Sequence, residues 1–207
     1  MQKKILYILV AVFAVIIGLY PLLYLILDRT FGLLQTKADT TLSNIYWNIG
    51  FYGHIFLGGI ALLIGWIQFN SKFRSSRLQL HRQIGKVYVI AAIGSSIFGL
   101  FIAFFATGGI SSVIGFGLLA IIWFYTTTKA FLEIKKGNVF AHEHWMMYSY
   151  AACFAAVTLR LWLPVLTFAF NDFFIAYKIV AWLCWVPNLI IASLLVAKQK
   201  KQESVFR

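Results

Sequence analysis

Acidic side chains are scarce in this chain: its 207 residues hold six Asp and Glu against 18 Lys and Arg, with three prolines and two cysteines. Charged residues make up 12% of a chain that is 61% hydrophobic, with a mean hydropathy of +0.84. So few charges cannot cover that apolar surface in water, which excludes a soluble globular domain and a disordered segment. Cys153 and Cys184 both lie inside apolar runs, so they read as buried thiols and not as the staples of a secreted module. With six acids in all, a carboxylate relay for protons or ions through a membrane has no material. The phosphate loop G-x-x-x-x-G-K-[ST], the dinucleotide motif G-x-G-x-x-G and the zinc-protease motif H-E-x-x-H are all missing. No histidine stands at a spacing that marks Ser95, Ser96, Ser111 or Ser112 as a nucleophile.

What the chain does have is apolar length. Stretches at 5–27, 51–70, 87–106, 110–132, 145–168 and 177–197 each approach or exceed the roughly 20 residues with which a helix crosses a hydrocarbon core about 30 Å thick. The expected fold is all-α, a polytopic bundle of six transmembrane helices forming one integral membrane domain over 1–207. The third and fourth stretches fold back at Thr107-Gly108-Gly109. The first outruns the apolar core of a signal peptide and lacks a clear small-x-small cleavage site, so an uncleaved anchor is expected. Six crossings bring Lys3 and Lys4, the basic loop with Lys72, Arg74, Arg77, Arg82 and Lys86, the pair Lys135 and Lys136, and the tail with Lys198, Lys200, Lys201 and Arg207 to one side. On the other side Asp28, Arg29, Lys37 and Asp39 cancel. The positive-inside rule then puts both termini in the cytoplasm. Basic residues gathered at span ends answer to the lipid bilayer, and no nucleic-acid partner is expected. Trp66, Trp123, Trp145 and Trp162 are expected near the headgroups, where amphipathic rings collect.

Polar side chains held in lipid are costly unless paired, so they are the best functional clue. They are His54, Gln68, His81, His142, Glu143, His144 and Arg160. His81 and His142 fall at matching starts of the third and fifth spans, near the basic face, with Asn138 as the cap ahead of His142. One imidazole from each of two helices is what axial ligation of a b-type haem needs, and Glu143 would add a ligand for a divalent metal ion instead. His142 and His144, two apart, point to different faces of a helix. At the opposite side His54 opens the second span and Arg160 lies in the outer half of the fifth, with Asp39 and Asp172 as available counter-ions. That pair would form a second polar site for a quinone, a lipid headgroup or a small anion; otherwise Arg160 snorkels to the outer surface and ties helix ends together. Gly58, Ala61 and Gly65, with Gly85, Ser95 and Gly99, would make room for a cofactor or simply let helices approach closely.

Several blocks have a recognisable order. His54-x-x-x-Gly58-x-x-Ala61-Leu62-x-x-Gly65-x-x-Gln68-Phe69 precedes Leu80-His81-Arg82-x-x-Gly85-x-x-Tyr88-Val89. His142-x-x-Trp145-Met146 and Ala156-Val157-Thr158-Leu159-Arg160-Leu161-x-Leu163-Pro164 follow. From Tyr52 to Pro164 the chain resembles the predicted bacterial membrane proteins grouped as domain of unknown function 2306. The resemblance implies a compact multi-span bundle in a bacterial inner membrane, with His54, His81, His142 and Arg160 as polar anchors. It implies no reaction. His144 stands where the family pattern has Arg, and Met147-Tyr148 replaces a branched residue and Arg, which weakens an anion site at the basic face. Three functional expectations result: a redox-type protein binding one haem or a metal ion at His81 and His142, a cofactor-free binding, carrier or scaffold protein, and, third, a metal-dependent hydrolase using His81, His142 and Glu143.

Overall fold

The computed structural model describes residues 2–27 and 32–205, with side chains for 4–27 and 32–201, and contains no strand among them. Asp28, Arg29 and Arg207, named above, lie outside the described residues. Six helices are long and apolar enough to cross a membrane. They are α1 (Lys4–Ile26), α2 (Ile45–Phe69), α3 (Leu78–Ala103), α4 (Ile110–Lys135), α5 (Val139–Phe170) and α6 (Phe173–Lys201).

Several helices outrun their apolar stretches, for local reasons. α2 starts at Ile45 because the Asn44 side chain accepts from the backbone N–H groups of Tyr46 and Trp47 at 2.9 and 3.1 Å. α3 starts at Leu78, so Arg82 and Lys86 ride on the helix; a charge ends an apolar run, but a long stem keeps it in the headgroups without breaking the helix. Gly137, at φ +79°, stops α4, and Asn138 caps α5 by accepting from Ala141 N–H at 3.1 Å. Gly108 and Gly109 turn α3 into α4 at φ +95° and +76°, values that favour glycine.

Helices α2, α3, α4 and the first half of α5 pack in sequence, and α2 meets α5 to close a ring. α3 and α5 therefore stand across the diagonal. α1 lies against α2, and α6 packs on α4 and on both halves of α5. Both late helices are broken: α5 at Phe154 and α6 at Cys184 and Trp185. Pro187 stands in the first turn after the break in α6, where a missing N–H has no intrahelical partner to lose. Asn188 Nδ2 lies 2.9 Å from the Cys184 carbonyl and 3.3 Å from that of Ala151, and the Thr158 hydroxyl also donates to Cys184. Carbonyls freed by the breaks are satisfied this way at lipid depth.

Inside the ring a hydrogen-bonded chain crosses the diagonal. Tyr88 OH lies 2.8 Å from Ser149 Oγ, which lies 2.6 Å from Thr127 Oγ1, whose hydroxyl donates to the Trp123 carbonyl at 2.7 Å. Trp123 is therefore not a headgroup anchor. It is 5% exposed, in the middle of α4, where its ring fills the core beside this chain.

Candidate functional site

Helix α2 enters from the neutral face, so its early start changes the depth of His54. That residue lies nine positions past Ile45 (45 to 54), about 14 Å down the helix, and does not open the span. Arg160 lies ten positions before Phe170 (160 to 170), about 15 Å from the same face. The two share a depth and line one cavity of about 220 Å³ between α1, α2, α3, α4, α5 and α6.

His54 is held on α3. Its Nδ1 lies 2.9 Å from the Ser95 carbonyl and 3.1 Å from Ser95 Oγ, while that hydroxyl donates back to the His54 carbonyl at 2.8 Å. A neutral ring that donates from Nδ1 keeps Nε2 as a free acceptor. Gly99 makes this packing possible, because a Cβ there would sit 2.8 Å from His54 Nδ1. Gly58 similarly faces Ser95, so small residues on α2 and α3 both bring the helices together and open the cavity between them.

Arg160 does not snorkel. Its Nη1 donates to the Ala156 carbonyl one turn back on its own helix, at 2.9 Å, and the guanidinium lies 4.4 Å from the centre of the Tyr20 ring on α1. The expected counter-ions are not used. Asp172 caps the start of α6 by accepting from Phe174 and Ile175 N–H groups, and no ion pair among the described residues joins Asp39 or Asp172 to Arg160. An arginine at such depth costs about 2.5–3.5 kcal/mol on insertion scales, offset here by one backbone hydrogen bond and an aromatic face.

Two lining residues were not legible as site residues. Lys37, from the connection between α1 and α2, reaches the α3–α4 turn, donating to the Phe105 carbonyl and to Thr107 Oγ1. Thr36 Oγ1 lies 3.1 Å from Thr107 Oγ1, so the connection is tied across the neutral-face end of the cavity. Burial pulls the Lys37 ammonium below the ordinary lysine range. Trp47 stacks on Phe51 at 5.1 Å, and its indole N–H is buried without an acceptor among the described residues. The Asn44 cap was the available signal for Trp47, since it moves that residue from a loop into the first turn of a span. For Lys37 there was none, because its role depends on a turn about 70 residues away.

At the basic face, His81 and His142 come within electrostatic range of each other. Each lies seven residues ahead of a partner in the diagonal bond (81 to 88, 142 to 149), hence two turns nearer the basic face on the same side of its helix. His142 Nδ1 lies 2.8 Å from the Ala130 carbonyl on α4, and His81 Nδ1 is buried without a partner among the described residues. Glu143 is bound by Arg74 at 2.8 Å. Among the described residues no group of three or more His, Cys, Asp or Glu is placed to hold a metal ion, so the set His81, His142 and Glu143 does not form one. His144 is on the other side of α5, edge-on to Phe140 at 4.3 Å. Gln68 ends α2 at the same face, 7% exposed, with its Nε2 unpartnered; the Gly85 Cα, one turn beyond His81, faces it.

The family model of predicted membrane proteins DUF2306 matches residues 51–196, which include both polar sites. The chain belongs to that family. No curated protein and no solved structure matches it. Membership therefore fixes the class of molecule, a multi-pass membrane protein of a family without assigned function, and leaves the chemistry to the residues.

Proposed function

We propose that this protein is a binding or carrier protein of a bacterial inner membrane, with its basic face in the cytoplasm. Its ligand is a small membrane-soluble molecule whose polar head docks between Arg160 and His54. The observation behind this reading is a cavity at lipid depth that holds a guanidinium without a carboxylate partner among the described residues. Its volume of about 220 Å³ is below the roughly 300–1,000 Å³ typical of sites that enclose a drug-sized ligand. It suits a compact head with a chain continuing into lipid. Trp47 and Trp123 both line the cavity, so binding has an intrinsic reporter. In nanodiscs, a brominated ten- or eleven-carbon amphiphile is expected to quench tryptophan emission saturably, and Ala120→Leu, which fills the cavity, is expected to weaken this at least about tenfold, or ~1.4 kcal/mol. Quenching that rises without saturation and ignores Ala120→Leu would contradict the proposal.

One observation favours a second reading, a haem between His81 and His142. Donation from His142 Nδ1 to Ala130 leaves Nε2 free, the arrangement usual in metal-ligating histidines. His81 and His142 would hold the iron, and Glu143, engaged by Arg74, has no part in it. The full chain expressed with haem supply would show a Soret band lost in His142→Ala. Iron-free protein without that band removes this reading and with it the redox role.

A further inference from the structure

The cavity's lining has a charge of one sign. Among the described residues its ionic side chains are Arg160 and Lys37, and no Asp or Glu lines it. The partners those two cations do have are neutral: the Ala156 and Phe105 carbonyls, the Thr107 hydroxyl and the Tyr20 ring. The described carboxylates with a partner are engaged elsewhere, Asp172 at the start of α6 and Glu133 and Glu143 in ion pairs at the basic face. A third donor, the Trp47 indole N–H, is buried with no acceptor among the described residues. His54, its Nδ1 held by Ser95, adds no negative charge to the lining.

Resting on the cavity reading above, we infer that the ligand is a single-chain amphiphile with an oxyanion head, carboxylate or phosphate. A cation at lipid depth, a second at the neutral-face end of the cavity and a buried N–H without a described acceptor are stabilised by a group that brings negative charge and several acceptor lone pairs together. A planar guanidinium matches either oxyanion through two parallel hydrogen bonds, and one N–H of Arg160 is already fixed by Ala156, which orients the rest. A neutral carbonyl head would satisfy a donor and leave the charge. A cationic head would be repelled. The apolar remainder of the lining, including Leu62, Leu119 and Leu159, takes the first methylenes of the chain.

The test compares heads on one tail. Full-length protein is placed in nanodiscs of neutral phosphatidylcholine at pH 8, and tryptophan quenching is titrated with 11-bromoundecanoate, 11-bromoundecyl phosphate and 11-bromoundecanol. At least one of the two anions is expected to bind about tenfold or more tightly than the alcohol, as charge-assisted hydrogen bonds imply, and the better anion identifies the head. Arg160→Gln is expected to remove that preference while leaving the alcohol within about threefold. Lys37→Gln changes a side chain outside the spans, so it keeps the measurement meaningful if Arg160→Gln fails to assemble, and it is expected to lower anion affinity several-fold. Equal binding of the alcohol and both anions overturns the inference but keeps the cavity reading. An anion preference that survives both substitutions overturns the inference as well, and saturable binding by none of the three overturns the cavity reading itself.

Discussion

Gly65→Leu is expected to destabilise the bundle by about 3 kcal/mol or more, at the upper end of what overpacking a core costs. A Cβ at Gly65 would lie 2.4 and 2.6 Å from Tyr150 ring carbons and 2.9 Å from the Tyr88 ring. Neither ring is free to swing aside. Tyr150 OH donates to the Leu62 carbonyl at 3.2 Å, and Tyr88 OH is bonded to Ser149 across the diagonal, so yielding to the new side chain breaks one of these bonds in a water-free core. Gly117→Ala is the control: its nearest neighbour is 3.9 Å away, ordinary contact, and no loss is expected. Thermal unfolding in one detergent, with the two variants side by side, checks both. Equal midpoints for Gly65→Leu and wild type would show that α2 does not approach the two tyrosines this closely.

Ser149→Ala is expected to cost about 1–3 kcal/mol, the cost of leaving buried polar groups unsatisfied. Ser149 is fully buried and bonds to both Tyr88 and Thr127, so its loss takes a partner from two hydroxyls at once. Thr127 can fall back on the Trp123 carbonyl, to which it already donates, so Tyr88, with the Trp123 indole beside it, bears most of the loss. Tyr88→Phe should therefore cost less in the Ser149→Ala background than in wild type. Because interhelical hydrogen bonds in membranes average about 0.6 kcal/mol and reach ~1.7, the coupling belongs in that range. A double-mutant cycle from steric-trapping or denaturation equilibria measures it, and strictly additive effects would mean that the diagonal bond contributes nothing.

How much of this was legible in the sequence depended on whether the signal was local. The six spans, the Gly108-Gly109 turn and the Asn138 cap follow from apolar length, positive φ at glycine and a side chain that bonds its own helix start, all within a few residues. Charges misled at the span ends: Arg82 and Lys86 ended the apolar run but not α3, since their stems reach the headgroups from inside a helix. His54 and Arg160 stood out as costly polar residues, and counting along the helices placed them on one side of the membrane. Their company did not follow from counting. Tyr20 beneath the guanidinium and Lys37 tied to Thr107 are contacts between distant segments, and Asp39 and Asp172 were wrongly offered as counter-ions because proximity to a span end says nothing of direction. Trp123 illustrates the same limit, a ring read as interfacial from the sequence and found in the core because the side of α4 that turns inward is set by distant helices.

The central claim is an arginine at lipid depth that no described carboxylate of the chain pairs, so that a ligand supplies the negative charge. An experimental density map of the full chain, purified from its own membrane into nanodiscs, addresses this directly. The account predicts elongated density in the cavity, its head within hydrogen-bond distance of the Arg160 guanidinium and its tail leading toward lipid. A guanidinium paired with a carboxylate of the chain itself, beside an empty or water-filled cavity, would contradict it.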